Sequence, residues 1–160
     1  MPGTNTTNRL RGNGWGWFLV QMLLLCAVFA AGLQFPGSTP YTWIPVAGMV
    51  LTVFSALIAV AGIHAMRGHI SAFPRPASGS KLVTAGIYRW MRHPMYFGLV
   101  MLSVGWAMWC VSAPAFLLTA VLAMFLKRKA ALEDQWLAEL HPGYREYAGK
   151  TWCFFLNKSR

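Results

Sequence analysis

Two long apolar runs open the chain, and the pattern of polar positions predicts a membrane-spanning helix for each. The first run covers about residues 15–35 and includes Gln21 and Gln34 as its strongly polar members, whereas the second, about 43–66, carries no charged residue. A spanning helix needs roughly 20 mostly apolar residues, which both runs provide. The first run is longer than the apolar core of a signal peptide, and the residues that follow it suit cleavage poorly, which favours a retained helix.

A third apolar run, residues 95–126, is too long for a single helix across a membrane. Its 32 residues would form a helix of about 48 Å, against a hydrocarbon core of about 30 Å. Pro114 lies within this region, and proline disfavours the helical conformation in the residue before it. We therefore predict two short helices, about 95–111 and 114–129, joined by a tight turn. The predicted fold is an all-α polytopic membrane protein of one domain, residues 1–160, with four transmembrane helices and the last two forming a helical hairpin.

The composition supports a membrane protein and excludes most soluble classes. Hydrophobic residues make up 56% of the 160 residues and charged residues only 11%, whereas soluble domains average about 25% charged residues. The net charge of +10 would suit nucleic acid, but the basic residues flank apolar runs instead of gathering on a polar surface, so no nucleic-acid partner is expected. The three cysteines are far apart and form no CxxC pair, which argues against a disulfide scaffold and against a metal site.

The distribution of lysine and arginine predicts how the four helices are oriented. All 14 basic residues fall outside the loop 36–42 and the turn 112–114. With four spans they lie on one side, which the positive-inside rule assigns to the cytoplasm. The N- and C-termini are then cytoplasmic, as are two polar segments, 67–94 and 130–160. In a prokaryote this membrane would be the inner, plasma membrane.

The acidic residues are concentrated in the C-terminal segment, which suggests chemistry there. All four in the protein lie in it: Glu133, Asp134, Glu139 and Glu146. Such clustering at the end of a membrane helix fits a functional site. It equally fits ordinary pairing along a helix, since Lys129 and Glu133 are four residues apart and would attract by a few tenths of a kcal/mol. On composition alone both interpretations stay open.

The sequence around Pro94 predicts a ligand site at the start of the third helix. Pro94 suits the first turn of a helix, and the amides of that turn would face the cytoplasmic boundary, where they could hold a ligand carboxylate. His93 and Tyr96 would project near the same place. The alternative is an interfacial anchor, because aromatic residues with a polar tip are common at membrane boundaries.

Two blocks of the chain carry a dense pattern of glycine, aromatic and charged residues. Residues 73–98 contain Leu-Val-x-x-Gly-x-Tyr-x-x-x-Arg-His-Pro-x-Tyr, and residues 133–147 contain an acidic pair followed by Gly-Tyr-x-x-Tyr. The matching positions are Leu82, Val83, Gly86, Tyr88, Arg92, His93, Pro94 and Tyr96 in the first block, and Glu133, Asp134, Leu137, Gly143, Tyr144 and Tyr147 in the second. Together they resemble the isoprenylcysteine carboxyl methyltransferase and phospholipid methyltransferase family of integral membrane enzymes. Asp134 stands where the family pattern has a second glutamate.

The resemblance implies a methyltransferase that uses S-adenosyl-L-methionine (SAM) and acts on a hydrophobic or lipidated acceptor, foremost an isoprenylcysteine-type carboxylate. It assigns cofactor contacts to Lys81, Leu82, Val83, Tyr88, His93, Pro94, Met95, Tyr96 and Glu133. It also implies a basic residue, shortly before the first glutamate, that orients the substrate carboxylate. Arg128 and Lys129 are both candidates for this role.

Three other functions stay open on the sequence. The first is a phospholipid N-methyltransferase, which belongs to the same family but has an amine acceptor. The second is an NADPH-dependent membrane sterol or lipid reductase of related helical fold, which would be expected to have more spans and additional arginines. The third is a non-catalytic membrane scaffold, because a shared fold does not prove activity.

Overall fold

The computed structural model describes residues 14–65 and 82–153, which are helical apart from short connections. These two stretches contain α1 (Gly14–Gln34), α2 (Trp43–Ala65), a 3-10 helix (Gly86–Arg89), α3 (Pro94–Trp109), α4 (Ala113–Leu140) and α5 (Tyr144–Lys150). Within them, β-type pairing is limited to an isolated parallel bridge between Met91 and Trp152. The all-α prediction is therefore confirmed for the described residues.

The helices α1 and α2 agree with the first two predicted spans to within one residue at each end. Both have the length and composition needed to cross a membrane, and most of their side chains point outward. Leu23, Val50 and Leu57, for example, are more than 60% exposed. Soluble proteins rarely present such continuous apolar faces to water, so these faces fit contact with lipid.

The helices α3 and α4 divide the third apolar run, but their bounds differ from the prediction. The apolar α3 begins at Pro94 and ends at Trp109, two residues before the predicted end at 111. The helix α4 has 28 residues and continues to Leu140, so the predicted end near residue 129 is wrong. It continues because residues 130–140 are rich in alanine, leucine and glutamate, which favour helix, and contain no glycine or proline. Glu133 and Asp134 therefore lie on a continuous helix and not on a separate C-terminal segment.

The turn between α3 and α4 is fixed by Ser112 and Pro114. Ser112 Oγ caps α4 by accepting a hydrogen bond from the Ala115 backbone N–H, at 3.4 Å, and donates to the carbonyl oxygen of Ala31, at 3.2 Å. Pro114 fits the first turn of a helix, where no backbone N–H is needed. The predicted break is confirmed, and the cap also ties this turn to α1.

Small residues bring α2 and α3 into close contact. A Cβ atom built on Gly105 would lie 2.5 Å from Thr52 Oγ1 and 2.7 Å from the Gly48 carbonyl oxygen. One built on Gly98 would lie 3.2 Å from the Ser55 carbonyl oxygen. Helices in membranes associate through small residues of this kind, because their backbones can approach closely.

We expect Gly105→Ala to destabilise the protein by about 1–3 kcal/mol, because the added methyl group would push α3 away from the backbone of α2. Thermal unfolding in detergent measures the effect. The matched control is Gly16→Ala in α1, where a Cβ meets nothing within 4 Å and where alanine favours helix more than glycine does. Equal melting temperatures for the two variants would contradict the close contact.

The opposite side of α3 packs on α4 and α1. Tyr96 and Val100 of α3 form a buried cluster with Leu122, Leu126 and Ala130 of α4. Leu24 and Leu25 of α1 lie against the same cluster. This packing brings together the ends of three helices that carry polar side chains.

Candidate functional site

The site lies where the start of α3 meets the second half of α4. Pro94 occupies the first turn of α3 and His93 is its N-cap residue, but the His93 side chain makes no capping hydrogen bond. The imidazole instead reaches across to α4. His93 and Pro94 are both buried, so this contact is made inside the protein.

The His93 imidazole lies between two neighbouring carboxylates of α4. Its Nε2 is 2.8 Å from Asp134 Oδ1, and its Nδ1 is 3.6 Å from Glu133 Oε2. The contact with Asp134 is a hydrogen bond, whereas the 3.6 Å separation from Glu133 is within ion-pair range but too long for a hydrogen bond. Consecutive residues of a helix point in directions about 100° apart. The His93 imidazole contacts both Glu133 and Asp134 because each of its two nitrogens faces one of the carboxylates.

Tyr96 lies between the carboxylates of α4 and the apolar core, and it contacts both. Its hydroxyl donates a hydrogen bond of 2.5 Å to Glu133 Oε1. Its ring is stacked with the His93 imidazole, with 5.5 Å between centroids and 6° between planes. Glu133 is thus held by both residues that the sequence placed at the start of α3.

Asp134 is the most connected acidic residue of the described chain. Besides His93, it accepts a hydrogen bond from the Tyr144 hydroxyl and lies 3.4 Å from Arg92 Nη1. Cys153 Sγ donates to its second oxygen at 3.7 Å. Asp134 therefore joins the segment before α3 to α4 and to the residues that follow it.

The pKa values of the two adjacent carboxyl groups are shifted in opposite directions. Burial raises the pKa of Glu133 above the ordinary 4.5 of a glutamate, although His93 and Tyr96 act against it. Burial also acts to raise the pKa of Asp134, but the hydrogen bonds from His93 and Tyr144 and the charge of Arg92 outweigh it and hold this pKa below the ordinary 3.8. Asp134 is consequently ionised at neutral pH. The buried carboxylate of Glu133 is the one that a nearby cation would stabilise most.

Asp134→Asn is expected to reduce the sensitivity of the protein to acid. Folding lowers the pKa of Asp134, so its carboxylate stabilises the folded state above the ordinary pKa, and this contribution is lost as the pH falls through the lowered value. The variant should melt at a lower temperature than wild type near about pH 6, and the difference should shrink toward about pH 3. Glu139→Gln, at an exposed position of the same helix, is the control and should follow wild type. A constant difference at all pH values would contradict this assignment.

The residues after α4 hold the segment before α3 in place. The Tyr147 hydroxyl donates to the Tyr88 carbonyl oxygen at 2.6 Å. Burial raises the pKa of Tyr147 to about 12, so this hydroxyl keeps its proton. Trp152 pairs with the neighbouring backbone, accepting from Arg92 N at 2.9 Å and donating to the Trp90 carbonyl oxygen at 3.0 Å. Tyr147 of the second sequence block thus helps to fix the first block.

The two candidates for the basic residue that orients the substrate differ in burial. Arg128 is exposed, whereas Lys129 is 3% exposed and points into the protein. Lys129 Nζ donates to Gln21 Oε1 of α1 at 2.8 Å and lies 5.1 Å from the centre of the Tyr96 ring. The Lys129 ammonium is therefore a buried positive charge next to the pair of Tyr96 and Glu133.

The other predicted cofactor-binding residues precede α3 in the chain or lie in its first turn. Leu82 and Val83 are half-buried before the 3-10 helix, and Tyr88 is buried within it. The Met95 side chain faces α2, since its Cγ lies 3.0 Å from the position of a Cβ on Gly62. Any ligand contact from Met95 would come from its backbone. Lys81 lies outside the described residues.

Some residues of the site carried little signal in the sequence. Arg92 and Tyr144 were part of the motif pattern, but their contact with Asp134 was not predicted. Gln21 was noted only as a polar residue in an apolar run, although polar residues inside membrane helices are often functional. Nothing in the sequence pointed to Cys153.

His93, Asp134 and Cys153 place one ligand atom each within 4.8 Å of one another. Nitrogen, oxygen and sulfur are the ligands that zinc accepts. However, the Arg92 guanidinium lies 3.4 Å from the Asp134 carboxylate, and its charge opposes a second cation there. We interpret the group as a hydrogen-bond network.

A family model and several relatives of known name all indicate membrane methyltransferases. The family model described as phospholipid methyltransferase matches residues 43–143. A probable protein-S-isoprenylcysteine O-methyltransferase of Oryza sativa subsp. indica is 29% identical over 129 residues, covering 74% of this chain and 64% of the relative. Protein-S-isoprenylcysteine O-methyltransferase B of Arabidopsis thaliana is 29% identical over 137 residues, covering 83% of this chain and 70% of the relative. The chain thus spans somewhat under two thirds of the length of the rice relative.

Proposed function

The chain belongs to the phospholipid methyltransferase family, and from this premise we propose that it is a SAM-dependent membrane methyltransferase. Its proposed acceptor is a carboxylate attached to a hydrophobic chain, as in an isoprenylcysteine. One observation carries the choice of acceptor: the buried Lys129 ammonium lies beside Tyr96, whose hydroxyl is bonded to Glu133. The names of the rice and Arabidopsis relatives support the same acceptor.

The residues around the start of α3 fit the charges of SAM. The cofactor carries a carboxylate, an amine and a sulfonium. The N-terminal turn of α3, which has no side-chain cap, suits the carboxylate, because the amides and the helix dipole favour an anion there. Glu133 suits a cationic group, since burial makes its carboxylate costly without one. Leu82, Val83 and Tyr88, which precede α3 in the chain, suit the adenosine moiety by their size and apolar surface.

The charge at Lys129 favours a carboxylate over an amine as the nucleophile. A carboxylate is already ionised at neutral pH and is attracted by the ammonium, whereas a neutral amine, the form that accepts a methyl group, gains no such attraction. A carboxylate also needs no general base, which agrees with a Tyr96 hydroxyl that is engaged with Glu133. Lys129 is thus assigned to bind and orient the acceptor, and Tyr96 to separate it from the carboxylates.

The catalytic contribution of the protein is alignment. When bound, SAM would supply an electrophilic methyl group to the acceptor oxygen, and its sulfur would keep the bonding electron pair and leave as a thioether. No proton is transferred and no covalent enzyme intermediate is needed. The chain has to hold the two reactants about 3–3.5 Å apart and exclude water. A site on the rigid helices α3 and α4 suits this task.

We further propose that all four long helices cross the membrane, with α3 and α4 as the final hairpin and both termini in the cytoplasm. The helices α1 and α2 have sufficient length, and the apolar part of α4 ends at the basic run beginning with Lys127. The 16 residues of α3 extend about 24 Å, so this crossing would be short. The location of all basic residues on one side supports the orientation.

A phospholipid amine is the second candidate acceptor, favoured by the description of the family model. The two acceptors give products that differ in chemistry. A methyl ester is hydrolysed by alkali and releases methanol, whereas an N-methyl group is stable to alkali.

The test uses purified full-length protein with SAM labelled in its methyl group. An S-prenylated N-acetylcysteine and vesicles containing phosphatidylethanolamine are offered in parallel, and SAM and NADPH binding are measured by calorimetry. We expect saturable SAM binding and alkali-labile label in the prenylated acceptor. Alkali-stable label in the phospholipid would replace the carboxylate by the amine. Folded protein that binds no SAM would overturn the proposal, and NADPH binding would then support the reductase.

A further inference from the structure

Gln21 is a polar residue buried within the apolar helix α1. It is 8% exposed, and it is the only strongly polar residue from Trp15 to Leu33. A buried amide costs free energy unless it is hydrogen-bonded. Gln21 Oε1 accepts from Lys129 Nζ at 2.8 Å, a contact between residues 108 apart in the chain.

This contact holds the lysine without cancelling its charge. An ammonium only donates hydrogen bonds, so the amide must present its oxygen to Lys129. The amide is neutral, and Lys129 makes no ion pair with any carboxylate in the parts of the chain that the structure describes. The nearest acidic side chain on the same helix, Glu133, is engaged with His93 and Tyr96. Glu133 attracts the Lys129 ammonium without forming an ion pair with it, so the ammonium can still pair with a further anion.

The position of Gln21 is set by helix packing. Leu24 and Leu25, on the next turn of α1, lie against the cluster formed by α3 and α4. The Gln21 side chain is therefore carried by one rigid helix and Lys129 by another. Their hydrogen bond fixes the lysine, a long side chain with many rotamers, in one direction.

We infer that Gln21 is a positioning residue, which holds the Lys129 ammonium at the site without an ion pair so that it pairs with the anionic group of the acceptor. This inference rests on the proposed function. It makes Gln21 a determinant of the preference for an anionic acceptor, although Gln21 itself does not contact the reacting atoms. The side chain must be both hydrogen-bonding and neutral to do this.

The two requirements are separated by Gln21→Met, which removes the hydrogen bond at similar volume, and Gln21→Glu, which keeps a hydrogen bond but neutralises the ammonium. Steady-state kinetics with an S-prenylated N-acetylcysteine and calorimetry with SAM are measured for both. We expect the acceptor KM to rise by about tenfold or more in each variant, with kcat and the SAM Kd within about twofold of wild type. Gln34→Met, the same change at the exposed end of α1, should behave as wild type.

The glutamate variant distinguishes positioning from a structural role. If Gln21 served stability alone, an ion pair with Lys129 would preserve both the melting temperature and the acceptor KM. A folded Gln21→Glu protein with an unchanged acceptor KM therefore overturns the inference while the proposed function stands. Wild-type protein that binds no SAM overturns the proposed function, and the inference with it.

Discussion

Replacing Lys129 with methionine is expected to lower kcat/KM for a prenylated carboxylate acceptor by about 100-fold or more, while SAM still binds. Lys129 is 3% exposed and its ammonium lies 5.1 Å from the centre of the Tyr96 ring. In such a desolvated position a charge interacts strongly with an anion, because little water screens it. Methionine keeps most of the length of the side chain and its apolar stem, so the loss should reflect the missing ammonium.

The adjacent residue provides the control for this prediction. Arg128 is on the same helix and carries the same charge, but it is exposed. Arg128→Met should change kcat/KM by no more than about twofold, because exposed charges are screened by water and salt. A larger loss in Arg128→Met than in Lys129→Met would show that Arg128 orients the acceptor, as the sequence also allowed.

Replacing Glu133 with glutamine is expected to raise the SAM Kd by about tenfold or more, with a smaller effect on the acceptor KM. Glutamine preserves the shape of the side chain and can still accept a hydrogen bond from the Tyr96 hydroxyl, which is 2.5 Å from Glu133 Oε1 in the wild type. The loss would therefore measure the charge. Calorimetry with SAM and with its neutral thioether product identifies the partner of this charge. A larger loss for SAM indicates the sulfonium, and equal losses indicate the amine.

The same carboxylate predicts a pH dependence of cofactor binding. Burial raises the pKa of Glu133 above the ordinary 4.5, so the group takes up a proton on acidification earlier than a normal glutamate. SAM affinity should weaken as the pH falls through this raised value, and the Glu133→Gln variant should lack that step. Glu139→Gln, at an exposed position of α4, should retain it. An unchanged SAM Kd in Glu133→Gln at all pH values would remove Glu133 from the cofactor site.

Much of the helical framework could be predicted from local patterns. The lengths of the apolar runs gave α1 and α2 to within one residue, because a helix in lipid must satisfy its own backbone along an entire apolar stretch. Pro94 and Pro114 marked helix starts, since proline lacks the N–H that later turns require. The end of α4 was missed because the end of an apolar run marks where hydrophobicity stops and not where the helix stops.

The site was predictable only in part, and the missing part consists of contacts between distant residues. The motif pattern indicated His93, Tyr96 and Glu133, which lie together. It did not indicate that Asp134 would also bind Tyr144, or that a glutamine of α1 would hold Lys129. Such contacts depend on how helices rotate and cross, and this is decided by packing between them.

The sequence by itself determined that this protein is helical and contains two helices long and apolar enough to cross a membrane, and its two motif blocks determined the family. These properties follow from hydrophobic length, proline positions and local residue patterns, which require no knowledge of neighbouring helices. Only the tertiary structure decided which of two basic residues faces the candidate site. Lys129 and Arg128 are adjacent in the chain, but one step along a helix turns a side chain by about 100°. That rotation buries Lys129 against Gln21 and Tyr96 and leaves Arg128 exposed.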